Sequence, residues 1–246
     1  MDHAYREDLS WIHDLGFGHL ARNAAEVLLQ NLAATGTGGG LVVDLGCGTG
    51  ILAEAVSNAG YDVLGVDLSP VMIEMARRRV PEGRFLCESL LSVELPPCIA
   101  VVAVGECFNY RFDESNSREQ LRALFKRIHA ALLPGGLLLF DAAAPGRVET
   151  GEALKTHVDG GDWVLLMNAE ENREARRVTR CITSFRRVGD FFRRDDECHE
   201  LDLLPAAEVV ADLEAAGFAT RVLDEYAGHK LPAGLNGFLG HPGSRD

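Results

Sequence analysis

The stretch Val42-Val43-Asp44-Leu45-Gly46-Cys47-Gly48-Thr49-Gly50 decides the reading of this 246-residue chain. A short apolar run, Leu41-Val42-Val43, reads as a strand that enters a glycine-rich turn opening a helix. Three alternating glycines let backbone approach a ligand closely at a helix N-terminus. The spacing is not the dinucleotide G-x-G-x-x-G, because the third glycine comes one position early and Ile51 stands where that fingerprint has glycine. Asp44 at the strand's end would repel a pyrophosphate and attract an ammonium group. No Lys-Ser/Thr pair follows to serve a phosphate. The loop therefore suits a nucleoside with a cationic tail.

Outward from the loop, strands and helices alternate. Strands are predicted at 62–66, 83–87, 99–104 and 136–140, and helices at 17–34, 51–59, 70–79 and 117–132. Near-continuous apolar strands separated by helices indicate a parallel sheet covered on both faces. Val63-Leu64-Gly65-Val66-Asp67 puts Asp67 at the end of the second strand, at the ligand-binding edge of such a sheet, where a carboxylate can accept both hydroxyls of a ribose. Ser69 before Pro70 is the better helix cap, which leaves Asp67 free for that role.

The segments VVDLGCGTG, GVDLSPVMIEMAR and LLPGGLLLFD resemble those of class I S-adenosylmethionine-dependent methyltransferases, over about residues 40–142 and again in LEAAGFATRVL at 213–223. The resemblance implies an α/β fold: a three-layer, doubly wound, mostly parallel seven-stranded sheet whose last strand is antiparallel. It implies S-adenosylmethionine as cofactor. Asp44, Gly46, Cys47, Gly48 and Gly50 would then surround the methionine part, Asp67 would hold the ribose, and Leu68 and Met72 would flank the adenine. Glu88-Ser89-Leu90 matches the acidic-small-Leu sequence that meets the adenine edge, with Glu in place of the commoner Asp.

The fourth strand runs into Gly105-Glu106-Cys107-Phe108-Asn109-Tyr110, where residues of this fold face both cofactor and acceptor. Glu106 is a candidate general base or a contact to the methionine ammonium, and Gly105 joins it at the cofactor. Cys107, Phe108, Asn109 and Tyr110 are candidates for the acceptor pocket, with Phe108 equally readable as core. Pro97-Cys98 precedes the strand, so Cys98 is read as structural. Further candidate bases are Asp141, His13, Glu197 and His199. Glu197 and His199 alternate along one strand and so share a face. No cluster has metal-ligand spacing, so no metal is expected.

After Pro145 the pattern changes. Residues 163–169, 178–187 and 191–203 read as three longer antiparallel strands, with Gly189-Asp190 as a hairpin turn. A helix at 206–216, a strand at 219–226 and a weak strand near 235–239 complete the chain. We expect a single methyltransferase domain over 1–246, with an N-terminal helical lid at 1–36, a cofactor-binding core at 37–145, an antiparallel cap insertion at 146–204 and a C-terminal completion of the sheet at 205–246. Tyr5, Trp11, His13 and Phe17 are placed to close the site as a lid, or to dock the helix on the sheet. Eight arginines between 173 and 194 read as a solvated face balanced by neighbouring acids, an anionic substrate being the other reading.

The net charge of −13 disfavours a nucleic-acid partner. Met1-Asp2-His3-Ala4 begins no export pattern, no apolar run reaches membrane-helix length, and the six scattered cysteines read as reduced thiols, so a cytoplasmic protein is expected. The expected activity is methyl transfer to nitrogen or oxygen of a small molecule. A protein or peptide acceptor, and an inactive cofactor-binding module, are the alternatives. Sequence says nothing of the oligomeric state.

Overall fold

The computed structural model describes residues 5–36, 38–148 and 154–243. Residues 1–4 of the expected lid and export reading, 149–153 of the expected cap, and 37 and 244–246 lie outside the described residues.

Strands β1 (Leu41–Leu45), β2 (Asp62–Asp67), β3 (Arg84–Cys87), β4 (Cys98–Ala103), β5 (Leu132–Ala143), β10 (Phe218–Leu223) and β13 (Leu235–Pro242) form one sheet in the order β10-β13-β5-β4-β1-β2-β3. The five strands from β5 to β3 are parallel, and β13 runs antiparallel to both β5 and β10. Successive side chains leave opposite faces of a strand, and both faces are buried. Val42, Ala100, Val102, Leu137 and Leu139 meet helices α2 (His19–Ala34), α3 (Ile51–Asn58) and α4 (Pro70–Arg79). Val43, Leu45, Val101, Leu138 and Phe140 meet α5 (Arg118–Ala131) and α6 (Ala206–Ala215) on the other side. That is the three-layer arrangement expected.

A second, antiparallel sheet, in the order β6-β7-β8-β9, follows β5: β6 (Leu154–Asp159), β7 (Trp163–Asn172), β8 (Arg177–Val188) and β9 (Phe191–Asp202). It has four strands where three were expected. β6 is mostly exposed, so it lacks the apolar alternation that marks a half-buried strand. Gly189-Asp190 forms the two-residue turn between β8 and β9, with Val188 opposite Phe191. The run read as one strand at 219–226 is β10 followed by β11 (Glu225–Tyr226), which pairs with β12 (His229–Lys230) in a small ribbon.

Helix α1 (Glu7–Gly16) turns its apolar face to the cap, burying Leu9 and Ile12 against Trp163, Leu165 and Ile182. Glu197 of β9 accepts backbone N–H bonds from Tyr5 (2.7 Å) and Arg6 (2.9 Å), and Arg193 holds Asp8. The lid and the cap are thus one layer. Cys181 and Cys198, directly opposite on β8 and β9, are joined as a disulfide. This corrects the reading of six reduced thiols, which treated sequence distance as spatial distance. Among the described residues no helix is long and apolar enough to cross a membrane.

Candidate active site

The glycine loop is moored to the end of β2. The N–H groups of Gly46 and Cys47 both donate to the Val66 carbonyl, at 2.7 and 3.0 Å. Gly46 has φ +77°, and a Cβ there would stand 2.4 Å from the Cys107 sulfur. Only glycine lets the loop pass so close to the segment after β4. Asp67 accepts from Gly48 N–H (3.0 Å) and Ser69 N–H (2.8 Å), so its carboxylate is fixed but keeps lone pairs for a ligand. Ser69 also caps α4 through Met72 N–H, with Pro70 in the first turn.

These elements enclose a cavity of about 130 Å³, walled by Gly46, Gly48, Asp67, Leu68, Met72 and Leu91, with Glu88, Leu90 and Gly105 at its margin. Five of the predicted cofactor residues stand apart from its wall, Glu106 among them, which lines a neighbouring cavity. Asp44 and Cys47 are buried, Gly50 faces the backbone of Ala76, and Ser89 binds Asp113 and the Leu91 N–H. Asp44 is informative nonetheless. Its Oδ2 is buried with no partner among the described residues. Burial, and then the Asp67 charge, push its carboxyl up to about 7. A buried carboxylate without a partner is costly, and an ammonium group nearby relieves that cost. The apolar wall for a base, the anchored diol acceptor and the orphaned acid together fit S-adenosylmethionine.

A second cavity of about 760 Å³ lies between the core and the lid–cap layer, and shares Tyr5, His13, Gly105 and Tyr110 with the first. Phe17, Glu106 and His199 also line it. His199 is buried, with Nε2 2.9 Å from Glu197 and Nδ1 unpartnered among the described residues. A carboxylate at Nε2 selects the Nε2–H tautomer and leaves Nδ1 as an acceptor. Tyr5, Tyr110 and Phe112 ring the imidazole at 5.0, 6.0 and 4.9 Å between centroids. Burial lowers His13 to about 4, so that ring is neutral at pH 7.

Four candidates take other roles. Glu106 is not arranged as a base. Arg180 grips it with two nitrogens (2.5 and 2.9 Å) and Arg147 donates at 2.7 Å. Burial alone would raise its carboxyl, but the charge of Arg180, then Arg147, holds it below the usual range. Phe108 is core, meeting Phe125 edge-on and Phe140 at a tilt. Asn109 is a clamp: its amide donates to the Ala143 and Asp202 carbonyls and accepts from Ala143 N–H, tying the loop after β4 to β5 and the cap. Asp141 is spent on the N–H groups of Gly105 and Glu106, and burial pushes it up to about 7. Arg147 has no counterpart in the sequence reading, since nothing local distinguishes one arginine after a Pro-Gly turn.

A methyltransferase-domain family model matches residues 42–136. The YqeM protein of Bacillus subtilis (strain 168) is 26% identical over 189 residues, which is 73% of both chains. The 18S rRNA (guanine-N(7))-methyltransferase of Bos taurus is 28% identical over 101 residues, covering 39% of this chain and 36% of that one. A S-adenosylmethionine-dependent methyltransferase from Clostridium acetobutylicum superposes with TM-score 0.80 at 18% identity over 95% of this chain and 97% of that one. S-adenosylmethionine-bound CalS10, an amino pentose methyltransferase from Micromonospora echinaspora, gives 0.75 at 20% identity, covering 98% of each. The glycine loop, the acid at the end of β2 and the strand order thus agree with the comparisons: the chain carries a methyltransferase domain over residues 42–136, on the fold of S-adenosylmethionine-dependent methyltransferases.

Proposed function

We propose that the protein methylates a nitrogen or oxygen of a small molecule held in the 760 Å³ cavity, with His199 as the general base. What carries this reading is the second cavity itself. It is of the size that takes a metabolite, adjoins the cofactor cavity through Tyr5, His13, Gly105 and Tyr110, and is roofed by the lid–cap layer.

The cofactor supplies a methyl group on a positively charged sulfur, already activated toward displacement. The chain's task is therefore alignment and proton removal. Tyr5, Tyr110 and Phe112 shape the junction between the cavities. Glu197 holds the His199 ring, whose Nδ1 takes the proton as the N–H or O–H of the acceptor becomes an N–CH3 or O–CH3, and the C–S bond breaks to leave the neutral thioether. Glu106 is a positioning residue.

The partial similarity to an rRNA methyltransferase leaves the exclusion of nucleic acid without support from the comparisons. Support for a small acceptor comes instead from the arginines. Each of the eight between 173 and 194 has a carboxylate within 4.0 Å, and Arg180, which shares Glu106 with Arg147, is turned into the cavity, so the eight form no unpaired basic surface for a phosphate backbone.

Calorimetric titration with S-adenosylmethionine, S-adenosylhomocysteine and NAD should give binding of the two sulfur nucleosides alone. An acceptor screen with labelled methyl donor follows. His199→Ala should then lower kcat by about 10²–10⁴-fold and leave S-adenosylhomocysteine affinity intact. Full activity in that variant would remove the base role.

A further inference from the structure

The second cavity has an electrostatic character opposite to that of the molecule. The chain carries 37 acids against 24 Lys and Arg, yet among the described residues the cavity's wall holds a single acid, Glu106, beside Arg147, Arg180 and Lys230, the last already paired with Asp224 and Glu225. Both guanidinium groups reach that one carboxylate, so the triad keeps one surplus positive charge. It is largely withdrawn from water, the side chains of Arg180 and Arg147 being 12% and 19% exposed. Donors remain: Arg180 Nε and Arg147 Nη2 have no protein partner among the described residues, while Arg147 Nη1 reaches only the Ala233 carbonyl at 3.3 Å. Glu106 is itself held at φ +62°, a left-handed conformation that non-glycine residues rarely adopt. Its N–H donates to Asp141 Oδ1 at 2.6 Å, which holds in place the residue on which both arginines are aimed.

Resting on the reading of this cavity as the acceptor site, we infer that the acceptor carries a carboxylate bound by Arg147 and Arg180, close to the amine or hydroxyl that is methylated. Two observations set the class. A surplus of one charge matches a monoanion, whereas a phosphate dianion would stay undercompensated, and the planar guanidinium fork suits a carboxylate. Arg180 also stands directly opposite His199 across β8 and β9. Directly opposed side chains lie about 4.5–5.5 Å apart at Cβ on the same face. A carboxylate on Arg180 and a nucleophile at His199 are then separated by few bonds, as in an amino acid or a hydroxy acid.

The test uses the full-length protein with and without saturating S-adenosylhomocysteine, titrated with benzoate, benzamide, benzylamine and phenyl phosphate by ligand-observed NMR. Benzoate should bind about tenfold or more tighter than benzamide, as charge-assisted hydrogen bonds predict, and benzylamine should be rejected. Arg180→Gln and Arg147→Gln should each erase the preference for benzoate, with folding checked by thermal melting. Glu106→Gln should instead keep benzoate and admit phenyl phosphate, since the surplus rises to two. Equal binding of benzoate and benzamide, no binding of either, or a preference surviving both arginine variants overturns the carboxylate site. Failure of S-adenosylhomocysteine to bind would overturn the methyltransferase site separately, because the benzoate comparison is read in its absence too.

Discussion

Asp44 is the residue whose chemistry should be most visible in solution. Its carboxyl titrates near 7 because it is buried beside Asp67 without a partner. A ligand ammonium favours the ionised form and so lowers that value on binding. Below about pH 7 the free protein holds a proton there that the complex does not, so binding releases up to one proton. Affinity for S-adenosylhomocysteine therefore rises with pH toward about 7 and then flattens, as linkage requires. Calorimetry in buffers of different ionisation enthalpy measures the release directly, and no release at pH 6 would place the ammonium elsewhere. Folding carries the opposite sign. The folded-state value lies above the unfolded 3.8, so Asp44 costs the unliganded protein stability progressively between about pH 4 and 7.

At the scale of elements, the lid is latched to the cofactor loop through Asp14. Its Oδ1 accepts from Thr49 Oγ1 at 2.5 Å, and both its oxygens accept from Arg79 of α4, at 2.7 and 2.9 Å. Asp14→Ala should weaken S-adenosylhomocysteine binding by about 1–2 kcal/mol, mainly through faster release. Stopped-flow displacement reads that rate, and an unchanged rate would mean the lid does not gate the cofactor. In the cap, the disulfide spans 17 residues. Replacing Cys181 and Cys198 with Ser should cost about 3 kcal/mol if the cross-link acts on the unfolded chain, read as a lower melting temperature under oxidising conditions only. The same hairpin shows what sequence could yield. A two-residue turn at Gly189-Asp190 places residues an equal number of steps out from Val188 and Phe191 opposite one another, and eight steps out pairs Arg180 with His199. One further count inward pairs Cys181 with Cys198. Both pairings were legible from the turn and needed only the register.

For the whole molecule, the α/β core was legible because its strands are apolar on both faces and each ends in a residue with distinct chemistry, Asp44, Asp67 or Gly105. The cap was legible as antiparallel strands, but β6 was not, since an exposed strand carries no hydrophobic period. The site was legible where one local segment supplies it, as in the glycine loop. It was not where residues converge from afar: Glu106, Arg147 and Arg180 come from three separate segments, and no spacing in the chain marks their meeting. Phe108, which the sequence left open between pocket and core, and Asn109 show a related limit. Position after β4 puts a residue near the site, but which side chains turn inward depends on Phe125, Phe140 and Ala143.

The place of β13 sets the order in which such a molecule can assemble. It sits between β5 and β10, with Phe238 opposite Phe140 and Leu239 opposite Arg221. Until it docks, β5 and β10 each present an unpaired strand edge, and β5 waits on a partner far along the chain. Refolding should thus be paced by this late, non-local closure, in milliseconds to seconds rather than microseconds. An intermediate with two open edges should be the species that self-associates when refolding is attempted at high concentration.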